Sequence, residues 1–252
     1  MSTALFNMSG TSIPLIALTI VTVIFLIVER VLPGRLLPRV QDWYLRAIVI
    51  NSAQAIISIT LGKFWIQTLD GASIANLRLW QLPIVEGFFC WFVGTFIFYW
   101  WHRARHTRAL WKIFHQVHHS PARIEVLTSF YKHPLEILVN AIISGLLVYG
   151  FFGTSIAGAL WYNFFAAIGE YFYHANIRTP HWLRIFIQTP ELHSIHHARG
   201  VHAFNYSDIP IWDKLFGTYK DATAFVRECG FGEHVESRLG EMLLFEDVET
   251  RK

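Results

Sequence analysis

Three long apolar stretches occupy most of the first hundred residues. They cover residues 13–28, residues 47–69 with Lys63 near one end, and residues 80–101 with Glu86 near the start. A helix rises about 1.5 Å per residue, so each stretch, with its flanks, can cross most of the about 30 Å hydrocarbon core of a bilayer. The pattern predicts membrane helices within residues 1–101, and we interpret the aromatic side chains of the third as lipid-facing.

A fourth apolar region covers residues 137–169. Its 33 uncharged residues are too many for one span of about 20 residues and few for two. The segment from Gly150 to Thr154 suits a turn, which predicts a hairpin of two short helices within residues 135–169. The hairpin either spans the membrane or dips in and returns, and both forms bring the chain back to the side it left.

Loop charges predict the orientation. Residues 29–46 carry four arginines, and residues 102–134 carry six basic side chains against the single acid Glu125. By the positive-inside rule both loops are cytoplasmic, and the hairpin leaves residues 170–252 on the same side. We therefore expect an all-α integral membrane bundle of four to five membrane helices, in one domain over residues 1–252. Residues 102–134 and 170–252 would form a cytosolic cap.

Composition agrees with a membrane protein. Hydrophobic residues make up 53% of the 252 residues and charged residues only 15%, against about 25% in ordinary soluble domains. The net charge of +3 is too small to indicate nucleic acid as a partner and suits a membrane surface. The start of the chain lacks a basic region, so we expect a retained helix and not a cleaved signal peptide. Cys90 and Cys229 predict neither a disulfide framework nor a thiolate metal site.

The histidines are the unusual feature of the cap. Positions i, i+3 and i+4 share one face of a helix, and three clusters have this spacing. A further histidine, His174, follows the hairpin, with Glu170 one turn earlier on the same face. The candidate metal ligands are His102, His106, His115, His118, His119, His174, His193, His196 and His197.

Nine imidazoles are too many for one structural zinc ion, which needs about four ligands, and suit two metal ions. Imidazole binds iron, zinc, copper and nickel alike, whereas magnesium and calcium prefer oxygen ligands. Glu170 is either a ligand or a hydrogen-bond acceptor beside one, and His133 either anchors a turn or lies at the site. Other histidines are interpreted as surface or hydrogen-bonded core residues: His181, His202 and His234.

The ordered set of histidine motifs resembles the fatty acid hydroxylase and sterol desaturase superfamily of integral membrane di-iron oxygenases. The pattern H-x3-H, H-x2-H-H and a second H-x2-H-H appears here at 102–106, 115–119 and 193–197. Further similar segments are His133-Pro134-Leu-Glu136, His174-Ala-Asn176 and Trp212-Asp213 through Thr218. The resemblance covers about residues 85–220. Two positions depart from it: Glu170 stands where many relatives have histidine, and Ser207 where they often have glycine.

The resemblance implies a cap that holds two iron ions and uses O2 to hydroxylate or desaturate an aliphatic C–H bond. The substrate would be a lipid, fatty acyl chain, sterol or carotenoid, and zinc could replace iron in a preparation. We find no flavin or nicotinamide motif, so electrons would come from an external ferredoxin or cytochrome with its reductase. The basic side chains Arg103, Arg105, Arg108 and Lys112 could dock an acidic donor, although solvated charge or attraction to headgroups explains them equally well.

Two other functions remain open from the sequence. A non-redox membrane zinc-binding or transport protein would need ligands along a transmembrane path. A b-type haem protein would need paired histidines within the membrane spans.

Overall fold

The first three membrane helices lie where the apolar stretches predict them. The computed structural model describes residues 8–69 and 73–249, and all three helices are long and apolar enough to cross a membrane. The third helix runs four residues past its predicted end, so His102 lies in its last turn. The helices are α1 (Met8–Val31), α2 (Trp43–Leu69), α3 (Pro83–Arg105), α4 (Arg108–Leu110), α5 (Gln116–His119), α6 (Pro134–Gly145), α7 (Ile156–His174), α8 (Pro190–His196), α9 (Pro210–Leu215), α10 (Glu233–Glu236) and α11 (Leu239–Leu243), with π-helical turns at Trp111–His115 and Leu146–Phe151 and 3-10 turns at Leu77–Trp80, Val126–Thr128 and His181–Ile185.

The fourth apolar region forms the predicted hairpin. Helix α6 and its π-helical extension contain 18 residues, a length of about 27 Å that suits a span. After a turn at residues 152–155, α7 returns over 19 residues. Gly153 lies in this turn at φ 58°, and a Cβ there would stand 2.2 Å from Oγ of Ser73. Backbone hydrogen bonds also join residues 74–78 to residues 150–153, so the loop before α3 closes onto the hairpin.

Local sequence signals explain where several helices begin. Helices α3, α6, α8 and α9 all start with proline, whose missing N–H and fixed φ suit the first helical position. Helix α7 starts after Ser155, whose hydroxyl accepts a hydrogen bond from the backbone N–H of Gly158. The same hydroxyl donates to the buried carboxylate of Glu86 at 2.7 Å, which ties α7 to the start of α3.

Helix α7 is the centre of the bundle, because it packs against both α1 and α3, while α2 packs against α6. Gly87 permits the close approach of α3 to α7: a Cβ there would lie 2.6 Å from the backbone nitrogen of Tyr162. The aromatic side chains of α3 differ in their environment. Phe88 and Trp100 are exposed as lipid-facing residues should be, whereas Tyr99 is fully buried and hydrogen-bonds to Thr218 of the cap.

Buried carboxylates attach α1 and α2 to the cap. Glu29, near the end of α1, accepts hydrogen bonds from the backbone nitrogens of Val126 and Asn176. Glu125 accepts from the indole of Trp43 at 2.7 Å and forms an ion pair with Arg30 at the same distance. Because buried charges need partners, these bonds fix the cap against the ends of the first two helices. A small apolar core lies between the first part of α2 and the cap: Trp43, Ala47, Ile50, Val117, Tyr131, Phe231, Met242 and Val248.

Candidate metal centre

Five imidazoles meet in a first group at the cap end of the bundle. Their candidate ligand atoms all lie within 4.8 Å of one another. Every Nε2 atom of the group is buried and has no hydrogen-bond partner in the described part of the protein. Buried polar atoms are almost always paired, so five unpaired nitrogens within reach of one another fit a cation-binding site. The members are His102, His106, His115, His119 and His196.

Four further imidazoles form a second group beside the first. Nε2 of His174 lies 3.3 Å from Nε2 of His118 and 3.1 Å from Nε2 of His193, and Nε2 of His197 lies 3.1 Å from Nε2 of His193. These four residues also satisfy the 4.8 Å limit for candidate ligand atoms. The two groups touch, because the rings of His119 and His197 stack with centroids 4.3 Å apart.

Each three-histidine motif is divided between the two groups. His115 and His119 enter the first group while His118 enters the second. In the other motif His193 and His197 enter the second group while His196 enters the first. The sequence spacing predicts that the three imidazoles of a motif share one face of a helix. In the structure this face borders both groups, so two imidazoles enter one group and the third enters the other. A π-helical turn at Trp111–His115 ends at the first histidine of the 115–119 motif, and such distortions often occur at functional sites.

Most of the rings are oriented by a partner on their other nitrogen. His102 Nδ1 donates to the carbonyl of Tyr206 at 2.6 Å, and His196 Nδ1 to the carbonyl of Phe204 at 2.7 Å. His115 Nδ1 lies 3.2 Å from the carboxylate of Glu136. Such bonds fix the tautomer and leave Nε2 free to bind a metal ion. Phe204 has φ 69°, a left-handed conformation that is costly for a side chain this large.

Burial keeps the imidazoles of His118, His119, His193 and His196 uncharged. It is the main cause that lowers the pKa of His118, His119 and His193 well below 6.5, and neighbouring imidazoles lower it further. The pKa of His196 falls to about 3, chiefly through burial. Neutral imidazole is the form that binds metal ions, so the site is ready for a cation at neutral pH.

The donor atoms limit the choice of metal. Within residues 8–69 and 73–249 both groups consist of imidazoles alone, with no carboxylate in either. Magnesium and calcium need oxygen ligands and fit poorly, whereas iron, zinc, copper and nickel suit nitrogen ligands. The residues present therefore fit a pair of transition-metal ions.

The sequence profile of the fatty acid hydroxylase family matches residues 87–218, just over half of the chain. The chain belongs to the fatty acid hydroxylase family. The matched residues include both groups of imidazoles in full.

Several curated proteins are similar to this fatty acid hydroxylase family member. Very-long-chain aldehyde decarbonylase GL1-8 of Oryza sativa subsp. indica is 31% identical over 185 residues, which are 69% of this chain and 65% of the relative. Human alkylglycerol monooxygenase is 27% identical over 207 residues, 77% of this chain and 44% of the relative. Sphinganine C4-monooxygenase 2 of Arabidopsis thaliana is 28% identical over 174 residues, 67% of each chain. The chain thus spans less than two thirds of the rice and human relatives. No solved structure matches it.

Glu170, one of the two departures from the resemblance, lies beside the second group and is not a member of it. Its carboxylate forms an ion pair with Lys132 at 2.7 Å. Its other oxygen lies 3.7 Å from Nδ1 of His174, the nitrogen that points away from the group. Burial lowers the pKa of Lys132, although Glu170 opposes that effect. In this arrangement Glu170 is beside a candidate ligand and does not belong to either imidazole group.

His133 lies outside both groups. Its Nδ1 accepts a hydrogen bond from the backbone of Leu135 at the start of α6, and its Nε2 donates to the carbonyl of Leu243. It anchors a turn, one of the two roles left open by the sequence. His181 and His234 are exposed, as expected.

His202 lies closer to the site than its sequence context predicts. Its Nδ1 stands 3.2 Å from Nδ1 of His119, and its Nε2 stands 3.1 Å from the carboxylate of Glu249. His202 reaches this position through a left-handed backbone conformation with φ 41°. Neither the lone histidine nor Glu249, 47 positions later in the chain, carries a sequence signal for this contact.

A cavity of about 780 Å³ leads from the membrane helices to the imidazoles. Apolar side chains of α1, α2 and α7 form much of its wall, and a volume of this size accommodates a drug-sized or larger ligand. The imidazoles on its wall come from both groups: His102, His115, His118, His174 and His193.

Proposed function

We propose that this chain is a di-metal, O2-dependent enzyme that hydroxylates or desaturates an aliphatic C–H bond in a lipid-like substrate. Iron is the proposed metal in the cell. The observation that carries the proposal is the contact between two imidazole groups at the inner end of an apolar cavity. The names of the relatives, which include monooxygenases of lipids, support it. The proposed ligands are His102, His106, His115, His119 and His196 for one ion and His118, His174, His193 and His197 for the other.

The protein would contribute position and a water-poor environment. Bound redox metal ions would supply the oxidising power that acidic and basic side chains lack for an unactivated C–H bond. Hydrogen bonds from Nδ1 of three imidazole rings to the carbonyls of Phe204 and Tyr206 and to the carboxylate of Glu136 hold these rings in fixed orientations. The apolar cavity would align the alkyl chain and exclude water from reactive species.

The principal test compares metal content and lipid products of the wild type with His118→Ala and His196→Ala, one variant for each group. We expect two iron ions per wild-type chain, about one in each variant, and loss of lipid oxidation in both variants. Mass spectrometry of lipids from cells with and without the gene would show a gain of one oxygen for hydroxylation or a loss of two hydrogens for desaturation. Normal metal content and normal product in both variants would contradict the proposal.

The geometry disfavours a non-redox zinc-binding or transport protein, and a spectrum tests for a b-type haem protein. All nine candidate ligands gather in two contacting groups, whereas a transport path needs ligands spread across the membrane. Metal analysis with an oxygen-consumption assay tests this alternative directly. A Soret band in the absorption spectrum would indicate a haem protein instead.

An external donor would have to supply electrons, and the exposed cations near the site are its proposed docking surface. Arg103, Arg108 and Lys112 are exposed. The sequence suggested that Arg105 belongs to this basic face. In the structure Arg105 is buried and paired with Glu136, so it is not part of the face. Reversing the charge of Arg108 and Lys112 should slow turnover with an acidic ferredoxin or cytochrome at low salt. Unchanged reductase-coupled turnover would mean that these cations do not dock the donor and instead contact solvent or lipid headgroups.

We also propose that the cap faces the cytoplasm, as the loop charges predict. Leu79 is exposed in the loop before α3 and Arg227 is exposed in the cap, at opposite ends of the bundle. Single cysteines at these positions should react with a membrane-impermeant maleimide from opposite sides of sealed vesicles. Native Cys90 and Cys229 are buried and should react little. If Arg227→Cys reacted from the outside of right-side-out vesicles, the cap would face away from the cytoplasm and the proposed orientation would be wrong.

A further inference from the structure

The cavity is long, and its polar groups are concentrated at the end near the imidazoles. Along α2 its wall extends from Asn51 to Ile66, about 22 Å at the rise of a helix. A long extended alkyl chain fits such a shape. Most charged residues of the wall lie at the end near the imidazoles: Arg105, Lys132, Glu170 and Asp208.

Asp208 differs from the other charged residues at this end. Arg105 pairs with Glu136, and Lys132 pairs with Glu170. Asp208 has no ion-pair partner in the part of the chain that the structure describes. Its hydrogen-bonded neighbour is Tyr173, whose hydroxyl donates to Oδ1 at 3.3 Å.

The surroundings of Asp208 place its carboxyl on the cavity wall close to the second imidazole group. Oδ2 lies over Gly169 of α7, where a Cβ would approach it to 3.3 Å. The ring of Tyr173 connects this carboxyl to the site, because its centroid lies 4.5 Å from that of His193 and 4.9 Å from that of His174. The indole N–H of Trp91 lies near the carboxyl as well, but it has no hydrogen-bond partner of normal geometry among residues 8–69 and 73–249.

Tyr173 supplies one donor, to Oδ1, and Oδ2 on the cavity wall can accept another. Burial and the nearby charge of Glu170 raise the pKa of Asp208 to about 7, although Tyr173, Trp91 and the charge of Lys132 oppose this rise. In its ionised form this carboxyl only accepts hydrogen bonds, and a polar group at a largely apolar site is costly unless it is paired. A substrate group with an O–H or N–H would supply the missing donor, whereas a carboxylate group would be repelled.

We infer that Asp208, positioned by Tyr173, selects long-chain substrates whose polar end carries a hydroxyl or ammonium group. The alkyl chain would lie along α2, and the polar end would lie beside the second imidazole group. This inference rests on the proposed function, since it names the substrate class of the same site. Asp208 is a specificity-determining residue in this proposal and takes no part in the oxidation itself.

The test is equilibrium binding of four labelled probes of equal chain length to the purified protein in lipid nanodiscs without reductant. The probes are hexadecanol, hexadecylamine, hexadecanoate and hexadecane. We expect hexadecanol, hexadecylamine or both to bind about ten-fold more tightly than the other two, the strength of one good hydrogen bond. Asp208→Leu should remove that preference. Asp221→Leu is the matched control, because this acidic residue is exposed and pairs with Arg184 away from the cavity, so the preference should remain.

Two milder variants keep the inference testable if Asp208→Leu does not fold. Tyr173→Phe removes the hydroxyl that positions the carboxyl, and Gly169→Ala places a methyl group against it. Both should weaken the preference, and hexadecane binding should stay within about three-fold of the wild type. Equal binding of all four probes, or an unchanged preference in the Asp208 and Tyr173 variants, would overturn the inference. Because binding is measured without turnover, an absence of lipid oxidation would contradict the proposed function alone.

Discussion

The carboxylate of Glu136 lies 3.2 Å from Nδ1 of His115, at the opposite edge of the ring from the unpaired Nε2 atom. It also pairs with the buried guanidinium of Arg105. Glu136 thereby links the first turn of α6 to the last turn of α3 and to the first imidazole group. An anionic acceptor at Nδ1 makes the ring a stronger and better oriented metal ligand.

Glu136→Gln should weaken metal binding at the first group. Loss of such an acceptor costs about 10–100-fold in metal affinity, so we expect the variant to lose about half of its metal to a competing chelator while the second group keeps its ion. Chelator titration with metal analysis measures this effect. Glu228→Gln, an exposed carboxylate paired with Arg199, is the control and should titrate like the wild type. Equal metal retention by both variants would contradict the orienting role.

His202→Gln should have a smaller effect on the same group. His202 contacts His119 through the Nδ1 atoms and is supported by Glu249. We expect metal affinity of the first group to fall by about ten-fold, since one neighbour of one ring is altered. His181→Gln, at an exposed histidine, should leave the chelator titration unchanged. If both variants behave alike, His202 is a packing residue only.

The buried pair of Lys132 and Glu170 should show strong coupling. Removing one member leaves the other charge buried without its partner, which costs about 3–5 kcal/mol at a fully buried site and less here, where the Glu170 side chain is 22% exposed. Lys132→Met and Glu170→Gln should each lower the thermal midpoint of the detergent-solubilised protein. The double variant should be more stable than either single one. Additive losses would mean that the two side chains do not depend on each other.

Gly87→Ala should separate α3 from α7. The added Cβ would lie 2.5 Å from Cβ of Trp161 and 2.7 Å from the carbonyl of Gly158, and backbone on this side cannot yield easily. Overpacking of this kind costs about 1–3 kcal/mol of unfolding free energy. Gly10→Ala is the control, since no atom of the described residues lies within 4 Å of the added Cβ in α1. We expect that variant to be as stable as the wild type, and a similar loss in both would rule out helix contact as the cause.

The sequence predicted the helical membrane fold and the family correctly, because both depend on local patterns. Apolar length predicted α1, α2 and α3 to within a few residues, and the glycines near residue 150 predicted the hairpin turn. The nine histidines stood out by their spacing and came together as expected. Their role as ligands is still a prediction. The sequence also placed Arg105 on a docking face, because charge alone does not reveal that Glu136 buries it.

Residues up to four positions apart determine which side chains share a helical face, so the sequence by itself determined the membrane helices, the hairpin and the three histidine motifs. The tertiary structure decided how each three-histidine motif divides between two groups, that Glu136 and His202 support imidazole rings, and that Glu170 turns to Lys132. It also brought Asp208 to the cavity wall. These contacts join segments far apart in the chain, and they exist only because α3, α6, α7 and the cap pack together in one arrangement.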